Sequence, residues 1–172
     1  YRLICIETSD HAPQHMCLYD EKESILISGD HILEQITPNN TIWSPPWQSN
    51  KDMLGEYIKS LQKVRELNLK RVFPGHRGIV SDCERRIREL EEHQQQRMNE
   101  IVKILSNANA ALCGVEVAAH MKWRIRTQHW EEFEIPQKIF ATGEAMAHLV
   151  HLQSIGLVES FLGNGVVYYS LL

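Results

Sequence analysis

No stretch of the 172-residue chain approaches the roughly 18 consecutive apolar residues that a membrane-spanning helix needs. No basic segment leads into an apolar run and a cleavage site, and the expectation is a soluble, cytoplasmic protein. Cysteine is sparse. Cys5, Cys17, Cys83 and Cys113 form neither a CxxC pair nor a dense framework, so reduced, buried structural thiols are expected rather than disulfides. Positive charge is not in excess: 18 Lys and Arg stand against 22 Asp and Glu, a formal net charge of −4. That balance argues against a duplex-DNA-coating surface, which needs many unopposed cations. Met does not open the chain, and Tyr1 leads directly into the strand-like Leu3-Ile4-Cys5-Ile6 without a turn or cap. A fragment of a longer protein is expected. What the chain does have is 43% hydrophobic and 23% charged residues, the balance of a protein able to bury a core.

The first part of the chain alternates short apolar runs with turns. Leu3 to Ile6, Met16 to Tyr19 and Ile25 to Ser28 read as strands, with Asp20-Glu21-Lys22-Glu23 as a turn. Thr37-Pro38-Asn39-Asn40 and Trp43-Ser44-Pro45-Pro46-Trp47 read as a loop whose tryptophans cover an apolar edge. Ser49-Asn50-Lys51-Asp52 offers a capping start to a helix with Leu54, Ile58, Leu61, Val64 and Leu67 at three- and four-residue spacing. Lys70 to Phe73 then returns as a strand, completing the strand-helix-strand order of a layered α/β domain.

Composition shifts near Asp82. The charged and amide-rich run from Glu84 to Gln96, with apolar residues resuming at Met98, predicts one long connecting helix over 82–98. Val115 to Trp123 and Gln137 to Ile155 read as two further helices. Gly156 to Ser160 and Val166 to Tyr169 read as a hairpin across Leu162-Gly163-Asn164-Gly165. Three helices followed by a hairpin is the order of a winged helix, so the expected division is 1–81, a connecting helix over 82–98, and a winged-helix-like domain over 99–172.

Three short motifs each end a strand-like run with a group able to bind metal: His11-Ala12-Pro13-Gln14-His15, Ser28-Gly29-Asp30-His31 and Pro74-Gly75-His76. A lone Asp after Gly is usually a turn residue, and a lone His usually a hydrogen-bonded side chain. Imidazoles and a carboxylate held together on rigid strand ends are instead what a metal centre requires.

In this order the motifs resemble the C-terminal half of the metallo-β-lactamase-like hydrolases, in the branch that contains the glyoxalase II enzymes. The family pattern T-P-G-H-S-P-G-H-I-C-L-Y-D stands here as Thr8-Ser9-Asp10-His11-Ala12-Pro13-Gln14-His15-Met16-Cys17-Leu18-Tyr19-Asp20. The resemblance implies His15 as a terminal metal ligand, Asp30 as the carboxylate bridging two ions and His76 as a ligand of the second ion. His11 and His31 are not carried over as ligands. Two departures stand out. Gln14 and the pair Ser9-Asp10 replace glycines and a proline, which implies an altered loop, and the family's H-x-H-x-D-H motif is absent. The resemblance therefore implies an α/β fold, the C-terminal half of an αββα domain followed by a mainly α winged helix. The cofactors implied are two divalent ions, zinc, manganese or iron.

The C-terminal region from about Asn99 resembles the winged-helix domain of the group related to the β-lactamase-like protein 2 endoribonucleases. The implied function is a fragment of a dinuclear metal-dependent hydrolase of a thioester, ester or phosphodiester, inactive without its N-terminal half. A small-molecule ester or thioester, or an RNA, is the implied substrate. The alternative is a nucleic-acid or protein binding module, or a homodimerisation module, in the winged helix. The helix 137–155 carries only Lys138 as a fixed positive charge, which disfavours DNA. Lys122, Arg124 and Arg126 beside Trp123 read as a solvated turn before they read as a phosphate contact, and Leu149, Leu152, Ile155, Leu157 and Val158 read as core.

Overall fold

A computed structural model describes residues 2–9, 12–42, 51–124 and 129–172. The sequence features at Asp10-His11, Trp43 to Asn50 and Arg126 lie outside the described residues. The chain divides into two compact units, Tyr1–Asn40 with Met53–Gln94, and Thr41–Asp52 with Gln95–Leu172.

The first unit holds a four-stranded sheet of order β1-β2-β3-β4, formed by β1 (Ile4–Glu7), β2 (Met16–Asp20), β3 (Ile25–Gly29) and β4 (Arg71–Pro74). The first three strands are antiparallel and β4 runs parallel to β3. A parallel neighbour needs a crossover, which α1 (Met53–Arg65) supplies. The strands alternate as a half-buried sheet requires: Cys17 and Tyr19 in β2 and Leu26 and Ser28 in β3 point inward. They meet Leu54, Tyr57, Leu61 and Val64, which share one face of α1 and are all fully buried.

The second unit contains α3 (Gly114–His120), α4 (Ile135–Ser154) and a three-stranded sheet of order β5-β7-β6. Its strands are β5 (Leu112–Cys113), β6 (Val158–Gly163) and β7 (Val166–Leu171). Asn164 and Gly165, with φ of 51° and 79°, form the two-residue turn that matches the twist of a hairpin. The short β5 gives no periodicity signal in the sequence. Reciprocal caps set the helix starts: the Cys113 N–H donates to Glu116 Oε2 at 2.8 Å, and the Glu134 N–H donates to Gln137 Oε1 at 2.9 Å.

Helix α2 runs over Cys83–Asn107, nine residues beyond the connecting helix expected over 82–98. It is a core element of both units. Cys83, Ile87 and Leu90 pack in the first core, and Met98, Ile101 and Leu105 pack in the second. The charged run that suggests a spacer is the solvent-facing side of an amphipathic helix. Leu149, Leu152 and Val158 are buried as expected, but Ile155 and Leu157 are half-exposed, because they lie in the turn after α4 rather than on its packed face. Among the cysteines Cys17 and Cys83 are buried, whereas Cys5 is exposed on edge strand β1. Among the described residues no helix is long and apolar enough to cross a membrane.

Candidate metal centre

Sheet topology brings the three motifs to one edge. The antiparallel register pairs Leu18 with Ile27, so β2 begins where β3 ends, with His15 and Asp30 just beyond those two strand ends. The parallel register pairs Gly29 with Pro74, which leaves Asp30 and His76 in adjacent loops at the carboxyl ends of β3 and β4. His76 Nε2 lies 3.5 Å from Asp30 Oδ1. His76 is exposed and Asp30 is one-third exposed, so the pair faces solvent.

Two glycines let the strands approach. Gly29 has a φ of +50°, and a Cβ there would lie 2.8 Å from His15 Nε2. The ring nitrogen of His15 therefore faces Gly29 and the Asp30 end of β3. The Gly75 N–H donates to the Gly29 carbonyl at 2.8 Å, and a Cβ on Gly75 would lie 3.3 Å from Asp30 Oδ1. Gln14, where the family pattern has glycine, adopts a φ of 65°. The left-handed conformation that glycine favours is thus kept at this position by a residue for which it is strained.

Polar contacts that the linear motifs do not reveal support the loops. The Gly78 N–H donates to Glu34 Oε2 at 3.0 Å, pinning the segment after His76. Arg86, on α2, donates from Nε to the Leu33 carbonyl at 2.7 Å and from Nη2 to the Ile36 carbonyl at 2.8 Å, fastening the loop after Asp30. Thr8 is fully buried, with Oγ1 2.8 Å from His15 Nδ1. Thr8 lies within the sequence motif, but a hydroxyl's partner is invisible in sequence. His31 is fully buried with its ring edge-on to Tyr57, the centroids 5.4 Å apart. It packs within the core, and His11 lies outside the described residues.

Imidazole Nε2 and carboxylate oxygen donors suit zinc-like cations. In donor type His15, Asp30 and His76 fit such an ion. Among the described residues no group of three His, Cys, Asp or Glu side chains converges closely enough to hold one. The donor set is open.

In the second unit Trp123 is committed to packing. Its Nε1–H donates to the Ala118 carbonyl at 2.8 Å, and the Arg97 guanidinium covers its ring at 4.3 Å. Lys122 and Arg124 are exposed.

Comparison with known proteins agrees with this topology. Residues 4–76 match the family model described as the metallo-beta-lactamase superfamily. The "Beta-lactamase-like protein 2 homolog" of Caenorhabditis elegans is 34% identical over 100 residues, covering 58% of this chain and 30% of that protein. The "Atrochrysone carboxyl ACP thioesterase" of Aspergillus fumigatus is 24% identical over 100 residues, covering 58% of this chain and 28% of that protein. The crystal structure of a beta-lactamase domain protein from Burkholderia ambifaria superposes with a TM-score of 0.82 at 28% identity, over 99% of this chain and 48% of that one. Residues 4–76 are thus similar to the metallo-β-lactamase superfamily in sequence and in fold. The chain spans about half the length of the matched structure and about a third of the curated relatives' length.

Proposed function

We propose that the chain contributes one side of the active site of a dinuclear metal-dependent hydrolase, with His15 and His76 as terminal ligands and Asp30 as the bridging carboxylate. The observation that carries this reading is the meeting of the three motifs at one sheet edge, with Asp30 and His76 3.5 Å apart, inside the segment that matches a hydrolase superfamily. Bound divalent ions supply Lewis-acid polarisation of the substrate and lower the pKa of water. The chain's own task is positional. Gly29 and Gly75 keep side chains out of the space between the strand ends, Thr8 orients His15, and Glu34 and Arg86 fix the loops that carry Asp30 and His76. The ligands needed beyond these three would come from outside the chain. A thioester or ester is the substrate class favoured, by the thioesterase name of one relative, with a phosphodiester or RNA as the remaining candidate.

The test is elemental analysis of the full-length protein, together with assays on a thioester, an aryl ester and a phosphodiester. Asp30→Ala is expected to lose metal and to lower turnover by more than about 100-fold, beyond the usual cost of an outer-shell change. Retention of both metal and activity would refute the ligand assignment.

We read the second unit as a winged helix, from the order of α2, α3, α4 and the β6–β7 hairpin. Ile135, Ile139 and Phe140, in the first turns of α4, are each more than 60% exposed. These exposed apolar side chains favour contact with a protein, including a second copy, over contact with DNA. Sizing chromatography with Phe140→Glu tests it, a shift from dimer to monomer being the supporting result and an unchanged dimer the opposing one.

A further inference from the structure

The Nδ1 side of His15 opens onto a file of buried polar groups. Thr8 Oγ1 lies 2.8 Å from His15 Nδ1 and 3.4 Å from Cys17 Sγ, and Cys17 Sγ lies 3.7 Å from the Ser28 carbonyl oxygen. Thr8, Cys17 and Ser28 are each fully buried. The Ser28 carbonyl, which also receives the His31 N–H at 2.9 Å, can only accept. A thiol that turned its lone pair toward this oxygen would set two acceptors against each other in a site without solvent. Cys17 Sγ is the donor to the Ser28 carbonyl, which leaves its sulfur able to accept the Thr8 O–H. That arrangement leaves the Thr8 oxygen open to a proton from His15 Nδ1.

We propose that this one-way chain, His15 Nδ1–H to Thr8 to Cys17 to the Ser28 carbonyl, locks His15 in the tautomer whose Nε2 lone pair faces Gly29 and the Asp30 end of β3. Thr8 is thus a positioning residue that presents His15 as a ligand, and Cys17 sets the direction of Thr8. The dipoles align along the chain and raise the electron density at Nε2, as an outer-shell acceptor does for a ligating imidazole. The tautomer is inferred from the buried geometry; its use in metal binding rests on the reading under Proposed function.

Nitrogen chemical shifts of the His15 ring, from long-range nitrogen–proton correlation spectra of the labelled chain at about pH 8, where a histidine is neutral, test the proposal. The resonances are assigned by their loss in His15→Asn. The wild type is expected to show Nδ1 protonated. Thr8→Val, which keeps the shape and removes the hydroxyl, is expected to bring the Nε2–H form into the population, and Thr8→Ser to restore the wild-type pattern. An Nε2–H form in the wild-type chain would overturn the proposal, and that observation needs no variant to fold. In the full-length protein, Zn²⁺ affinity is expected to fall about 10- to 100-fold in Thr8→Val and to recover in Thr8→Ser; an equal loss in both variants counts against the orienting role. If Nδ1 is protonated but Zn²⁺ leaves the His15 resonances of the full-length protein unmoved, the hydrolase reading fails while the chain of hydrogen bonds stands.

Discussion

Replacing Arg97 with Met should destabilise the second unit by an amount that depends on pH. Arg97 is nearly buried, its side chain 8% exposed, and it donates from Nε to Glu144 Oε1 at 3.0 Å. Its Nη1 donates to Glu100 Oε2 at 2.8 Å and to the Lys122 carbonyl at 2.9 Å. Burial pushes the Glu144 carboxyl above its ordinary value, and the charge and hydrogen bond of Arg97 oppose that rise. A raised carboxyl in the folded state makes the folded protein hold its proton more tightly than the unfolded chain does. Its contribution to stability is therefore present at low pH and lost as pH rises through the folded-state value. Removing Arg97 removes the opposing influence, so the carboxyl rises further and the loss grows. Breaking a buried pair costs about 3–5 kcal/mol; Glu144 keeps some exposure, so about 3 kcal/mol is expected near neutral pH. The cost should be smaller near pH 4, by about 1.4 kcal/mol for each further unit of rise. Urea unfolding at both pH values, with the wild type alongside, measures the difference. Arg97→Met with Glu144→Gln should recover most of the neutral-pH loss. An equal cost at both pH values would show that the ion pair is not what Arg97 supplies.

Two substitutions probe the first unit. Gly29→Ala combines a left-handed φ of +50° with a Cβ 2.8 Å from His15 Nε2, and should cost at least about 1–2 kcal/mol in thermal unfolding while shifting the His15 ring resonances; unchanged shifts would mean that the imidazole does not lie over Gly29. Arg86→Met leaves the Leu33 and Ile36 carbonyls without their guanidinium donors and should cost about 2 kcal/mol in urea, with hydrogen exchange rising first in residues 31–36. Uniform exchange across the unit would argue against a local clamp.

Most of the first unit is legible in the sequence, because its strands and α1 carry their burial pattern in residue order. Cys17 and Tyr19, Leu26 and Ser28, and Leu54, Tyr57, Leu61 and Val64 repeat at the periods of a strand and a helix. The extent of α2 is harder to read. Its apolar residues change partners midway, and the charged run Glu84 to Gln96 obscures the stripe through Ile87, Leu90 and Met98. Strand β5 is two residues long, too short for any period. The exposure of Ile155 and Leu157 depends on where α4 ends, a boundary set by tertiary packing rather than composition.

The candidate site divides along the same line. His15, Asp30 and His76 are visible as ligand types, but nothing local in the sequence says that residues 61 positions apart share a site. Register does. The β2–β3 turn sets Leu18 against Ile27, and α1 returns the chain so that β4 lies parallel to β3 with Pro74 beside Gly29. Side chains alternate faces with a period of two, so a slip of one residue in the hairpin would carry His15 to the opposite face of the sheet from its present partners. The hydroxyl of Thr8 and the thiol of Cys17 obey the same constraint, since both must point inward in the register that turns His15 toward Asp30. The hydrogen-bonded file behind His15 and the ligand edge in front of it therefore depend together on the β1–β2 and β2–β3 pairings. A sequence that preserves the ligands but changes the length of the Asp20–Ser24 turn would retain the motif and lose the site.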